Sequence, residues 1–410
     1  MGVTADATEP EGLISSLLET PEGRRDPYPL YRRLRARAPV HRGQYGLVLS
    51  RYDDCLRVLK DPGLGKGLRD ARGGPPPMGG GSPEADGEVA SMLDLDPPAH
   101  TRQRRLVSRA FTPRRVEALR PAVGRMVEGL VDRLADAGEA DVMRELAFPL
   151  PVTVIGELMG VPEADRAGFQ PLVRDAAATL EVAVDDETWA RARRARATMA
   201  SYFRDLMAER RARPGDDLLT ALVSAPERDD RLGEPEVVAT TLLLFGAGFE
   251  TTTNLIGNGL LALLRHPQEA GRLGADPSRE LVASTVEELL RWDSPVQLDG
   301  RMALEEVVVA GHHLVPGDVV LTLLGSANRD PARFVDPERL DLCRTDGGPI
   351  SFGGGIHYCL GAGLARMEGQ VVFGTLARRF AAIELAEEPE WRSGLTLRGL
   401  SSLRVRVRSH

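Results

Sequence analysis

Ten consecutive residues, Phe352-Gly353-Gly354-Gly355-Ile356-His357-Tyr358-Cys359-Leu360-Gly361, hold the strongest chemical signal in the chain. Adjacent glycines let a backbone turn tightly and pass close to a flat ring. Cys359 opens what reads as a helix from about Leu360 to Phe380. Unpaired N–H groups and the positive dipole end at such a place favour a thiolate, the form of cysteine that ligates a metal. The competing reading is a structural cysteine in a Gly-rich turn. Cys55 and Cys343 fit no such pattern and read as a small hydrophobe and a loop thiol. Three cysteines give neither a disulfide framework nor a zinc spacing.

A second segment, Gly246-Ala247-Gly248-Phe249-Glu250-Thr251-Thr252, lies inside the longest helical stretch, about Pro235 to Arg265. Two glycines and a β-branched hydroxyl are poor mid-helix residues. A threonine there can bond back to a carbonyl and bend the helix, opening a groove beside it. A kink at a packing contact is the alternative. Three charged groupings follow. His100 and Arg104 are four apart in Asp96-Pro97-Pro98-Ala99-His100-Thr101-Arg102-Gln103-Arg104-Arg105 and share a helix face. Glu288 and Arg291 stand three apart on a helix from about Arg279 to Trp292. From His100 to Arg120 seven arginines face one acid, Glu117, a basic patch suited to steering an acidic partner or else a solvated helix face.

The elements that must position these residues are mostly helical. A short helix is expected over Asp26–Ala38, then a strand over Tyr45–Ser50 and another helix. Pro62–Asp86 is rich in Gly and Pro and reads as a long loop. Helices follow from Thr101 to about Gln268, with breaks expected at Pro113, Pro121, Gly138, Pro149, Gly160, Pro214 and Gly233. Short strands are expected near Met302–Val309 and Asp318–Leu324, and a hairpin over Leu395–Val407. The net charge of −8 argues against nucleic-acid binding. Neither a secretory signal nor a stretch long enough to span a membrane is visible, so a cytoplasmic protein is expected.

Taken together, the motifs resemble those of the bacterial cytochromes P450 of the soluble, actinobacterial type. Phe352–Gly361 matches F-G-x-G-x-H-x-C-x-G at every fixed position, and Ala247–Thr251 resembles A/G-G-x-D/E-T. Asp96–Arg104 resembles D-P-P-x-H-x-x-x-R, and Glu288–Arg291 matches E-x-x-R. The resemblance implies a mainly α fold with minor β, a triangular single domain over residues 26–410 behind an N-terminal arm of residues 1–25. It implies haem b with Cys359 as axial iron ligand, with Phe352, Gly361, Ala247 and Thr251 around it. His100, Arg104, Arg301 and His357 would hold the haem carboxylates. Glu250 and Thr251 would relay protons during oxygen activation. Glu288 and Arg291 would join Arg339 in a buried structural triad.

What the family does follows as expectation. It activates O2 with electrons from NAD(P)H, passed through a ferredoxin reductase and a ferredoxin docked on the basic, Cys-side face. One oxygen atom would enter a bulky, mostly apolar molecule by hydroxylation or epoxidation, in tailoring a polyketide, terpene or peptide. Leu243, Leu244, Ala247, Val296, Leu298 and Leu400 would line the pocket, with the loop Leu64–Met92 and the residues Leu180–Val184. A monomer is expected. Peroxide-driven or atypical oxidation (ring closure, desaturation, coupling) and a non-enzymatic haem protein that binds a gas remain the rival readings.

Overall fold

The computed structural model describes residues 9–67, 89–182, 184–224 and 232–410. Its helices are α1 (Pro10–Glu19), α2 (Pro21–Arg25), α3 (Tyr28–Arg37), α4 (Tyr52–Lys60), α5 (Ala99–Ser108), α6 (Pro113–Ala137), α7 (Pro149–Met159), α8 (Glu163–Arg166), α9 (Phe169–Ala177), α10 (Asp186–Ala212), α11 (Leu218–Val223), α12 (Glu234–Arg265), α13 (Pro267–Ala275), α14 (Arg279–Trp292), α15 (Leu324–Ala327) and α16 (Ala362–Arg379). The strands are β1 (Val40–Gly43), β2 (Gly46–Leu49), β3 (Leu64–Gly65), β4 (Glu139–Asp141), β5 (Asp299–Ala303), β6 (Val307–Val309), β7 (His312–Leu314), β8 (Val319–Thr322), β9 (Phe380–Leu385), β10 (Glu390–Trp391), β11 (Leu400–Ser402) and β12 (Arg404–Ser409). The expected loop over Pro62–Asp86 falls largely outside the described residues, as does part of Leu180–Val184.

Helix α12 is the axis of the molecule. Pro235 stands in its first turn, the Gly233 N–H donates to Glu236 Oε2 at 2.8 Å, and Pro267 follows its end. A Pro at the start and a returning acid close the open N–H groups of the first turn. Helices α7, α10, α14 and α16 pack along it, and the largest apolar cluster joins Leu255, Ile256 and Leu260 to Val286, Leu289, Met367 and Phe373. Beside this helical mass lies a five-stranded sheet in the order β1-β2-β8-β5-β3, with β2 and β8 parallel. In that sheet Arg301 stands opposite Val320.

Residues 10–25, within the expected N-terminal arm, form two helices, and α1 buries Leu13, Ile14, Leu17 and Leu18 against Tyr31, Leu298 and Leu321. Two expectations change. Pro121 does not break α6, because it sits on the exposed side while Val116, Val123, Val127 and Leu134 hold the opposite face in the core. The lost N–H bond costs less than that burial returns. The C-terminal strands do not pair as one hairpin. Instead β11 pairs with β10, while β12 lies between β9 and β4.

Candidate functional site

The ligand loop is held by its own backbone and by its surroundings. The Cys359 N–H donates to Phe352 O at 2.9 Å and Tyr358 N–H to Gly355 O at 3.1 Å. Asn328 Oδ1 accepts from Ile350 N–H at 2.8 Å, and Ser351 Oγ bonds Leu290 O at 2.7 Å. Gly355 has φ +65°, and a Cβ there would lie 2.4 Å from Leu59 O, so the turn admits glycine alone without strain. Cys359 lies three residues before α16 with its surface open, although it is ringed by protein atoms. Burial pushes its thiol up; the Gly361 N–H and then the Arg104 and Arg366 charges pull the other way but do not overcome it. The helix-end effect expected from sequence is therefore present and outweighed. A metal would displace the proton outright.

A second group converges near this loop. His100 on α5 and His357 stack with ring centroids 4.4 Å apart. Both nitrogens of His100, Nε2 of His357 and Nη2 of Arg301 are buried without a hydrogen-bond partner. Orphaned buried polar groups cost about 1–3 kcal/mol each, so four such nitrogens together mark a site built for polar atoms from outside the chain. Burial, then the charges of His357 and Arg104, hold His100 down at about 4. Arg301 is itself fully buried and donates through Nη1 to Asp299 Oδ2 at 2.7 Å. Burial would raise Asp299, yet Lys66 and Arg301 hold it at about 2, and the Lys66 ammonium is in contact with Asp299 Oδ1. Two backbone N–H groups, of Lys66 and Gly67, close on Asp96 at 2.9 and 2.8 Å. Arg104 takes a different direction: its guanidinium donates to Tyr358 O beside Cys359. Among the described residues no cluster of three His, Cys, Asp or Glu could hold a bare metal ion. The residues present fit a flat, carboxylate-bearing cofactor whose metal takes one sulfur ligand.

Helix α12 is buried along most of its length, but Leu243, Ala247 and Thr251, spaced by four, are not. Ala247 is exposed in mid-helix, which requires open space against it. Thr251 Oγ1 donates back to Ala247 O at 2.9 Å, the back-bond expected from the sequence, although α12 runs on through it as an unbroken helix. Glu250 points elsewhere: it is 4% exposed, and one of its oxygens meets the guanidinium of Arg392 from β10–β11.

Of the expected pocket residues, Ala247 is open, while Leu243 and Val296 are half-buried, Val296 bridging to Leu397. Leu244, Leu298 and Leu400 are closed inside apolar clusters and do not reach open space. The Glu288–Arg291 pair is bidentate at 2.7 and 2.8 Å, with both side chains 1% exposed. Its third member is Arg344, whose Nε lies 3.1 Å from Glu288 Oε2. Arg339, expected in that place, turns its guanidinium to Asp341 and offers only its carbonyl to Arg291. Sequence reading also missed Arg392, Lys66, Asp299 and Glu368. Lys66 alone carried a signal, as one of two lysines in an arginine-rich chain. Glu368 of α16 is fully enclosed beneath Thr252, and burial pushes it up to about 8. On the basic face, Arg109, Arg114 and Arg115 are exposed, whereas Arg120 engages Glu117 and Gln370. No helix among the described residues is long and apolar enough to cross a membrane.

Comparison with known proteins agrees with this geometry. The family model described as Cytochrome P450 matches residues 180–395. Cytochrome P450 107B1 of Saccharopolyspora erythraea is 42% identical over 88% of this chain and 88% of its own. The polyketide biosynthesis cytochrome P450 PksS of Bacillus subtilis is 40% identical over 96% of this chain and 99% of its own. The ligand-free crystal structure of CYP164A2 from Mycobacterium smegmatis superposes with a TM-score of 0.88 at 39% identity, covering 97% of this chain and 100% of that one.

Proposed function

The chain belongs to the cytochrome P450 family and is a monooxygenase, and on that premise we propose that it oxidises a bulky, mostly apolar secondary metabolite at a haem held through Cys359. The observation that carries the cofactor assignment is the set of orphaned donors on His100, His357 and Arg301, which suits the two carboxylates of a haem. When bound, the haem supplies the activation of dioxygen, with one oxygen atom passing to the substrate and the other leaving as water.

The chain's own residues do the rest. Cys359 would supply the axial sulfur, with Phe352 and Gly361 shaping the loop around it. Arg104 would fix the loop from the α5 side. Leu243 and Ala247 give substrate an apolar wall, and Thr251 presents a hydroxyl from the same stripe. Glu250 and Thr251 would move protons inward, ordinary general-acid work for positioned groups. Electrons would arrive from NAD(P)H through a ferredoxin docked near Arg109, Arg114 and Arg115, since complementary charge steers such encounters. The relative named for polyketide biosynthesis favours a polyketide-like substrate.

Turnover with a ferredoxin, its reductase and a panel of apolar polyketides tests this reading. A product heavier by one oxygen atom is expected, with Thr251→Ala consuming electrons while forming little product. Normal product yield from Thr251→Ala removes the relay assignment; no oxygenated product from any panel member removes the substrate class.

A further inference from the structure

The proton-relay reading leaves the ion pair between α12 and the C-terminal strands unexplained. A carboxylate as deep as Glu250 is unfavourable unless a cation faces it. Arg392 supplies that cation from β10–β11, and its side chain is itself largely enclosed. The pairing is incomplete on both sides: Glu250 Oε2 and Arg392 Nη2 are buried without hydrogen-bond partners. One carboxylate oxygen is therefore engaged and the other left free.

The segment from β10 to β11, in which Arg392 lies, meets α12 at three points spaced by four residues. Besides Glu250, Asn258 Nδ2 donates to Arg398 O at 3.0 Å. Between them Gly399 lies so close to Asn254 that an added Cβ would come within 2.0 Å of Asn254 Oδ1. Positions four apart share a helix face, so these contacts form one seam. The turn between the strands is pinned as well. The Arg392 N–H donates to Gly399 O at 3.0 Å, Glu181 accepts from the N–H groups of Leu395 and Thr396 at 3.1 Å, and Arg398 Nε meets Asp293 at 2.9 Å. A guanidinium on so fixed a mount gives the carboxylate one orientation. Arg174 of α9 adds a second positive charge near Arg392; burial first, then Arg174, brings Arg392 down to about 10. From α16, Glu368 faces Thr252 and not this pair.

We propose that Arg392 is a positioning residue that holds Glu250 with one oxygen engaged and the other free to pass protons. The proposal rests on reading Glu250 as part of the relay, and the test separates the two. The haem-loaded enzyme is supplied with electrons by a plant-type ferredoxin and its reductase, without added substrate, and NADPH oxidation is followed for the wild type, Glu250→Gln, Arg392→Gln, Arg392→Lys and the Glu250→Gln/Arg392→Gln double variant.

Both Gln single variants are expected to slow oxidation about a hundredfold, the low end of general-acid effects. The double variant should be no slower than Glu250→Gln alone, and Arg392→Lys should recover most of the rate; a merely structural role would give neither result. Slowing by Glu250→Gln but not by Arg392→Gln overturns the positioning role and leaves the relay standing. Additive losses, or no rescue by lysine in a variant that keeps the wild-type melting midpoint, also overturn it. No slowing by Glu250→Gln removes the relay and this proposal with it. Should Arg392→Gln fail to fold, the lysine variant decides: the proposal requires it to exceed Glu250→Gln severalfold, and equality with Glu250→Gln overturns it.

Discussion

The two sides of the site are built differently. On the sulfur side, the turns of the loop from Ile350 to Cys359 close through backbone bonds between residues a few places apart, with Asn328 and Leu290 bracing its start, and they need glycine at Gly353 and Gly355, with φ +71° and +65°. On the α12 side, Glu250 and Thr251 sit on a regular helix, and what orients Glu250 arrives from Arg392, far along the chain. A site fixed by local backbone bonds leaves a dense, readable sequence pattern. A site fixed by a distant side chain leaves almost none.

Mutations can break or sharpen that contrast. The largest effect should come from the scaffold behind the loop. Glu288→Ala strands Arg291, and breaking a buried pair by removing one partner costs about 3–5 kcal/mol. A melting midpoint lowered by several degrees is expected, and an unchanged one would show the pair to be dispensable. Gly355→Ala forces a Cβ against Leu59 O in left-handed backbone, at a cost of about 1–3 kcal/mol. It should loosen haem retention, whereas Gly271→Ala, on the α13 surface with nothing within 4 Å, should leave retention unaltered.

Arg344→Gln and Arg339→Gln compare a partner found in the structure with the one expected from sequence. The first removes a 3.1 Å contact to a buried carboxylate and should cost about 2 kcal/mol. The second removes an exposed pair worth under about 0.5 kcal/mol. Equal losses in denaturant melts would contradict the assignment of Arg344.

The last effect is a slope in pH. His100 is held at about 4 in the haem-free fold, below its ordinary value near 6.5, so the unfolded chain binds its proton first. Stability of haem-free protein should therefore be full above about 6.5 and fall as pH drops toward 4. His100→Gln should flatten that segment of the stability curve, and an unchanged curve would show that His100 does not carry the slope.

Much of this was legible in the sequence because it depends on short spacings. Cys359, His357 and the glycines announce the loop, and Pro235, His266 and Pro267 bound α12. The misreadings share one cause, which is long-range packing. Leu244, Leu298 and Leu400 are apolar wherever they sit, and only the fold decides whether they meet a cavity or a core. Arg339 and Arg344 lie in the same loop, and only the fold turns the second inward to Glu288 and the first out to Asp341. Pro121 lost its power to break a helix once the opposite face was buried. Arg392 carries no motif at all.

The central claim, a haem held through the Cys359 sulfur, is tested most directly by the carbon monoxide difference spectrum of dithionite-reduced protein, recorded for the wild type and Cys359→His. A strongly red-shifted Soret band is expected for the wild type, moving to the histidine-ligated position in the variant. A histidine-type band in the wild type, or a spectrum unchanged by the substitution, would contradict it.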